Sequence, residues 1–158
     1  MDDLLRWSGP IRSHRLLAMP FDRRTCWVDP AEIGEAAARI LLSGDVGHVG
    51  QHYDLDDGED LVAFSAVATL MSEVLQETVT YEPDPDVWRQ MMGPKYEALF
   101  GPGAADYFLE YYRFEQANQY AFRRTDVLGT ILGRSPTTLR DWIEQHAREL
   151  LPDDKPQG

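Results

Sequence analysis

A helix that begins near residue 30 is the clearest prediction from the pattern of apolar and polar positions. Asp29 suits the cap position before a helix, Pro30 suits its first turn, and Glu32 completes a capping-box pattern. The apolar positions that follow recur at the helical period: Ile33, Ala36, Ala37, Ile40 and Leu41. Gly44 can adopt the left-handed conformation that ends a helix.

A second helix and several short strands follow from similar patterns. The apolar stripe of this helix is Phe64, Val67, Ala68, Met71, Val74 and Leu75. Residues 51–55 alternate polar and apolar, which predicts a half-buried strand, and the β-branched run 78–81 predicts another. Two extended pieces are predicted earlier, at 16–20 and 25–28. Residues 2–7 form an apolar stretch that is too short to predict a helix, and Ser8-Gly9-Pro10 ends this stretch.

The rest of the chain is predicted to be helical. Helical spacing recurs in 85–92, 94–100, 104–124 and 136–151, with Gly93-Pro94 and Gly101-Pro102-Gly103 as breaks, and Thr138 with Asp141 offers a capping box. Together the elements predict one α+β domain over 1–158, mainly helical with a few short strands. We divide it into a leading segment 1–29, a strand–helix–strand part 30–81, a helical part 85–151 and a flexible tail 152–158.

Composition and charge narrow the class of protein. The 158 residues are 43% hydrophobic and 27% charged, as in an ordinary soluble domain, and no apolar run approaches the about 20 residues that cross a bilayer. The net charge of -12 opposes binding to nucleic acid or to anionic membranes. The acidic start and the single cysteine, Cys26, favour a cytoplasmic location. Arg39 and Arg89 bound a stretch without any Lys or Arg, which predicts a solvated acidic surface.

Motifs that could hold a cofactor or a metal are weak. Gly44, Gly47 and Gly50 have the spacing of a dinucleotide-binding loop. They follow a predicted helix and precede a predicted strand, whereas such a loop follows a strand and precedes a helix. The acidic run 54–60 lacks the ligand spacing of a calcium loop. His48 and His52 flank a turn without a cysteine. We expect no cofactor-binding residues and no metal site in this chain.

Aromatic side chains crowd the segment 104–124 and spread around the predicted helix, so that this helix must be covered on more than one side. Such rings could form core, a protein interface or the wall of a pocket for a small hydrophobic ligand. Our ligand-binding candidates are Trp27, Asp29, Trp88, Tyr107, Tyr111, Tyr112, Phe114 and Asn118. No catalytic residue is assigned.

The order of several motifs resembles one known family. Residues 27–41, the segments 53–55, 61–75 and 79–81, and the run Leu132-Gly133-Arg134-Ser135-Pro136 through Trp142 are similar to the NmrA-like branch of atypical short-chain dehydrogenases/reductases. The resemblance spans about residues 4–150 and covers the family's C-terminal, substrate-binding lobe. Departures at Gly34, Gln76 and Asp56-Asp57 suggest a distant relative.

This resemblance implies that the chain lacks the family's dinucleotide-binding motif. The family's strand–GxxGxxG–helix, which holds NAD or NADP, precedes the region matched here, so the chain alone is expected to bind no dinucleotide. A lobe without its larger half would expose an apolar face, from which we expect a homo-oligomer or a partner protein.

Three interpretations remain open from the sequence. The chain is a binding or accessory module without a dinucleotide site; or it is an enzyme; or it is a fragment of a longer reading frame. As an enzyme, it would either pair with a chain that supplies NADP or NAD, or use acid–base chemistry of carboxylates such as Asp29, Glu110 or Glu115.

Overall fold

The computed structural model describes residues 1–59, 61–118 and 124–151. Its elements, in chain order, are α1 (Asp3–Arg6), α2 (Ser8–His14), β1 (Leu16–Ala18), β2 (Arg24–Thr25), α3 (Pro30–Ser43), β3 (Val62–Ala63), α4 (Phe64–Leu75), β4 (Thr80–Glu82), α5 (Pro85–Phe100), α6 (Ala104–Asn118), α7 (Val127–Leu132), α8 (Leu139–Gln145) and α9 (Ala147–Leu150). Helices dominate and the strands are short, which confirms the predicted α+β class.

The described strands form two small sheets. β1 pairs with β4 in parallel, with Leu17 opposite Tyr81, and the hydroxyl of Tyr81 donates to the carbonyl of Met19 at 3.0 Å. β2 and β3 pair antiparallel, with Thr25 opposite Val62. The strand predicted at 16–20 is thus confirmed in its first three residues and the one predicted at 78–81 in its last two, whereas the piece predicted at 25–28 is paired at Thr25 alone.

One large core joins the N-terminal segment to the helices. It contains the fully buried side chains Leu4, Ile11, Leu17, Phe64, Trp88 and Trp142. A second, smaller cluster packs α3 against α7 through Ala36, Leu128 and Leu132. The placement of Leu4 and Ile11 follows from α1 and α2, which the sequence interpretation missed. Pro10 falls in the first turn of α2, where a missing backbone N–H costs nothing, so the Ser-Gly-Pro run starts a helix instead of ending one.

The predicted start of α3 is half right. The Asp29 side chain accepts the N–H of Ala31 at 2.9 Å, and Gly44 ends the helix at φ 68°. Glu32, however, is not a capping-box partner. It is 4% exposed, and its carboxylate accepts the N–H of Thr137 at 3.0 Å and pairs with Arg134. This contact ties α3 to the Gly-Arg-Ser-Pro segment near the C-terminus.

Two other predicted features are wrong. α5 continues through Pro94, because Trp88, Met92 and Tyr96 share one buried face on both sides of the proline. Residues 51–57 form no strand; instead, Tyr53 contacts the ring nitrogen of His48 at 2.7 Å. The alternating pattern there has no neighbouring strand with which to pair among the described residues.

The acidic stretch is not the uniformly solvated surface that the sequence predicts, because Asp56 and Asp57 are buried. Apolar side chains are exposed on α3 and just after it, namely Ile33, Leu41, Leu42, Val46 and Val49.

None of the helices in the described ranges is long and apolar enough to cross a membrane. The predicted tail 152–158 and residues 119–123 of the aromatic segment lie outside the described residues.

Candidate functional site

An aromatic cavity of about 340 Å³ lies where α1, the segment after β2, α4, α5 and α6 converge. We call it the aromatic cavity. Its rings are Trp7, Trp27, Phe64, Tyr96, Phe108, Tyr111 and Tyr112. Its charged side chains are Asp3, Arg6, Arg23 and Glu115, and the thiol of Cys26 also lines it. The wall therefore combines apolar rings with charged groups, and small-molecule sites use aromatic rings for contact area and a few polar groups for orientation.

Arg23 is the central charged group of this cavity. Its side chain is 7% exposed and pairs with Glu115 at 2.7 Å. The guanidinium also lies over the rings of Tyr112, at 4.1 Å, and Phe64, at 4.6 Å. Its remaining donors reach the carbonyl of Pro20 and the sulfur of Met19. The charge of Arg23 is therefore neutralised inside the protein.

The carboxylate of Glu115 is held at both oxygens. One oxygen accepts from Arg23, and the other accepts the hydroxyl of Tyr111 at 2.8 Å. Burial, together with this hydrogen bond, raises the pKa of Tyr111 to about 12. Asp3 and Arg6 form a second ion pair at 2.7 Å. These four charged side chains are thus paired with one another, and the ammonium group of Met1, which also lines the cavity, donates to the carbonyl of Val28 at 2.7 Å.

Three polar groups in the wall of the cavity are joined by two hydrogen bonds. The indole N–H of Trp7 donates to the hydroxyl of Tyr96 at 3.0 Å, and this hydroxyl lies 3.2 Å from that of Tyr112. Burial raises the pKa of Tyr112 far above its ordinary value, with the neighbouring Tyr96 as a further cause. Tyr112 is therefore a neutral hydroxyl at physiological pH.

Cys26 is half-buried at the edge of the cavity. Burial raises the pKa of its thiol, and the nearby carboxylate of Asp56 raises it further. A thiol with a raised pKa is a poor nucleophile at neutral pH, so this position does not favour a catalytic cysteine.

The structure brings three of the eight predicted ligand-binding residues to the cavity: Trp27, Tyr111 and Tyr112. Five lie elsewhere: Asp29 caps α3, Trp88 is fully buried against Tyr96 and Tyr112, and Tyr107, Phe114 and Asn118 lie exposed on α6. Of the carboxylates considered for catalysis, Glu115 lines the cavity, whereas Glu110 is exposed and pairs with Arg113. Whether any of these residues binds a ligand stays a prediction.

Sequence reasoning missed Arg23, Trp7 and Tyr96. Arg23 lies in a short polar link, and its partner Glu115 is 92 residues away, so local sequence carries no signal for this pair. Trp7 did have a signal: Leu4, Trp7 and Ile11 share the helical period and one buried face.

A larger cavity of about 780 Å³ lies between residues 57–59 and the segment 124–138. None of the predicted ligand-binding residues lines it. It contains no aromatic ring among its described lining residues, and Arg134 there is already paired with Glu32 and Glu35. The smaller aromatic cavity is therefore the better candidate for a ligand site.

A dinucleotide does not fit the glycine motif as it is folded. The N–H of Gly47 donates to the carboxylate of Asp45 at 2.8 Å, which also places a negative charge where a pyrophosphate would lie. No helix follows Gly50 in the described residues before α4 begins at Phe64. A phosphate-binding loop requires free amides at a helix N-terminus. As for metals, the described residues contain no group of three or more His, Cys, Asp or Glu side chains placed to hold an ion.

No protein family model matches the sequence, and no curated protein matches it. A solved structure does match: a new type of NADPH-dependent quinone oxidoreductase from Escherichia coli, with a TM-score of 0.67 and 17% sequence identity. The match covers 91% of this chain and 50% of the oxidoreductase chain. The chain therefore spans about half the length of that protein and shares its fold over this half. Membership in the NmrA-like family stays a prediction.

Proposed function

We propose that this chain binds a small, flat, uncharged hydrophobic molecule in the aromatic cavity and acts as a binding or accessory module without a dinucleotide site of its own. The observation that carries this proposal is the cavity wall: seven aromatic rings surround it, and the charged side chains there are neutralised as Arg23–Glu115 and Arg6–Asp3 pairs. Rings favour a flat apolar ligand, and within each pair the two side-chain charges offset each other.

Titration with 2-acetylnaphthalene, a flat and chemically unreactive probe, tests this proposal. Saturable one-to-one binding by calorimetry supports it. Loss of affinity in Phe64→Ala, with retained affinity in Tyr107→Phe outside the cavity, would locate the ligand. No saturable binding of this probe or of its hydrocarbon analogue 2-ethylnaphthalene would overturn the proposal.

A second candidate is the substrate-binding part of a split oxidoreductase. It is favoured by the coverage of the match, since the chain corresponds to half of an NADPH-dependent quinone oxidoreductase. NADP or NAD would then be supplied by a partner chain. The exposed apolar residues on and after α3, such as Leu41 and Val46, support burial against a partner or a second copy.

Native mass spectrometry of the purified chain, with and without NADPH, separates these candidates. A homo-oligomer that retains no NADPH supports the module. A second chain that co-purifies and brings NADPH binding supports the split enzyme. Saturable retention of one NADPH by this chain alone would contradict both.

A further inference from the structure

The outward side of α3 is apolar although it faces solvent. At about 3.6 residues per turn, the residues on this side cover roughly half of the circumference of the helix. They are Pro30, Ala31, Ile33, Gly34, Ala37, Ala38, Leu41 and Leu42, all of them exposed, and we call them the α3 face. Leu41 and Leu42 are 82% and 85% exposed. A surface helix normally carries charged and polar side chains on this side, whereas a helix that is apolar all round is normally covered.

Gly34 is a second observation that points to a close neighbour. It lies inside α3, where a glycine costs about 1 kcal/mol relative to alanine. The fold of this chain does not require a glycine there, because the backbone is helical and an added Cβ would meet no other part of the described chain within 4 Å. Ala37 and Ala38 follow on the same side and are also small. The α3 face therefore leaves room for another backbone to approach closely.

The α3 face is complementary to itself in size when two helices run antiparallel. The small Gly34 lies in its first half, and the large Leu41 lies seven residues later in its second half. With a two-fold axis between Ala37 and Ala38, Leu41 of each copy packs on Gly34 of the other copy. A parallel pair would instead set leucine against leucine and leave the small residues facing one another across a gap. Only the antiparallel pair fills the space between the helices.

The charged edge of α3 favours the same arrangement. Glu35 and Arg39 lie beside the α3 face on one edge and pair with each other at 2.8 Å. In the antiparallel pair the two charged edges lie on the same side, and the rise of about 1.5 Å per residue sets Arg39 of one copy beside Glu35 of the other. In a parallel pair the two edges lie on opposite sides, and these charges do not meet. Opposite charges thus meet between the copies only in the antiparallel pair.

We propose that the α3 face binds the α3 face of a second copy of this chain in an antiparallel, two-fold symmetric dimer. A second copy is the occupant because the face matches itself in size and in charge, as a two-fold interface requires. The inference goes beyond the proposed function, since none of the residues that line the aromatic cavity lies on α3. The net charge of -12 opposes association of two chains, so added salt, which screens this repulsion, should strengthen the dimer.

Sedimentation velocity at micromolar to submillimolar concentrations tests the dimer. We expect a monomer–dimer equilibrium for the wild-type chain. Ala38→Arg places two bulky like charges at the two-fold axis and should raise the dissociation constant at least about tenfold. Ala66→Arg makes the same substitution at an exposed alanine of α4 and should keep the wild-type dissociation constant. The two variants have the same net charge, so a difference between them reports the position of the arginine.

Disulfide cross-linking tests the orientation of the two helices. In a Cys26→Ser background, a mixture of Gly34→Cys and Leu41→Cys should give a covalent dimer of the two variants on mild oxidation. Leu41→Cys alone should give none, because the antiparallel pair separates the two copies of this residue along the helices. This measurement does not depend on whether Ala38→Arg folds.

The outcomes separate this inference from the proposed function. A wild-type chain that stays monomeric at every concentration overturns the inference and leaves ligand binding in the aromatic cavity standing. A dimer that Ala38→Arg does not weaken, or Leu41→Cys that cross-links to itself, also overturns it. A different chain that co-purifies and blocks modification of Leu41→Cys would overturn it as well and would support the split oxidoreductase.

Discussion

The guanidinium of Arg23 holds the carboxylate of Glu115 at 2.7 Å, and the two side chains are 7% and 16% exposed. This ion pair joins the link before β2 to α6 across 92 residues of chain. Removing one partner of a buried pair leaves the other charge without compensation, which typically costs more than the intact pair contributes.

Arg23→Met is therefore expected to lower the free energy of unfolding by about 3 kcal/mol, because Glu115 would be left buried and unpaired. Urea denaturation measures this change. Arg113→Met breaks the exposed pair with Glu110 and should cost less than about 1 kcal/mol. Equal losses in the two variants would show that Arg23 is not a buried partner.

Thr137 anchors the C-terminal segment on α3. Its hydroxyl donates to the buried carboxylate of Glu32 at 3.0 Å, next to the N–H of the same residue. Thr137→Val keeps the shape and removes this hydroxyl, so we expect a loss of about 1 kcal/mol in chemical denaturation. Thr78→Val, at an exposed position, should stay within about 0.5 kcal/mol of wild type. No loss for Thr137→Val would argue against the contact with Glu32.

Tyr111 predicts a pH dependence at the alkaline end. Its folded pKa of about 12 lies above the ordinary value of 10.0, so the unfolded chain loses this proton first as the pH rises. The free energy of unfolding should then fall between pH 10 and pH 12, and the fall should be shallower in Tyr111→Phe. Burial also raises the pKa of Tyr81 and Tyr112, which leaves part of the fall in the variant. Parallel curves for the two proteins would contradict the assignment.

Cys26 predicts slow chemical modification. Burial raises the pKa of its thiol, so little thiolate is present at neutral pH. Alkylation by iodoacetamide, followed by mass spectrometry, should be slower in the folded chain than in urea, and 2-acetylnaphthalene should slow it further because Cys26 lines the cavity. The chain has one cysteine, so the adduct is unambiguous. Equal rates in the folded and unfolded chain would contradict this placement.

The fold could be predicted from sequence where local patterns decide the structure. Asp29 and Pro30 correctly predicted the start of α3, and the stripe from Phe64 to Leu75 correctly predicted α4. Contacts between distant residues could not be predicted. Glu32 looked like a local cap but binds Thr137, and Pro94 looked like a break although the buried face of α5 continues past it.

For the candidate site, too, local sequence patterns predicted part of the arrangement and contacts between elements decided the rest. Aromatic crowding on α6 indicated that some of its rings could form a pocket wall, and Tyr111 and Tyr112 do line the cavity. Residue type alone could not tell them from Tyr107 and Phe114, which lie on the same helix outside the cavity. Which rings of α6 line the cavity depends on which face of this helix packs against α5.

The most direct test of the central claim is a titration of the isotopically labelled chain with 2-acetylnaphthalene, followed by the indole N–H signals of its tryptophans. Trp7 and Trp27 line the aromatic cavity, whereas Trp142 is fully buried elsewhere and stacks on His146. We predict saturable shifts of the Trp7 and Trp27 signals with an unchanged Trp142 signal. Shifts of all these signals together, or of none, would contradict the assignment of the aromatic cavity as the ligand site.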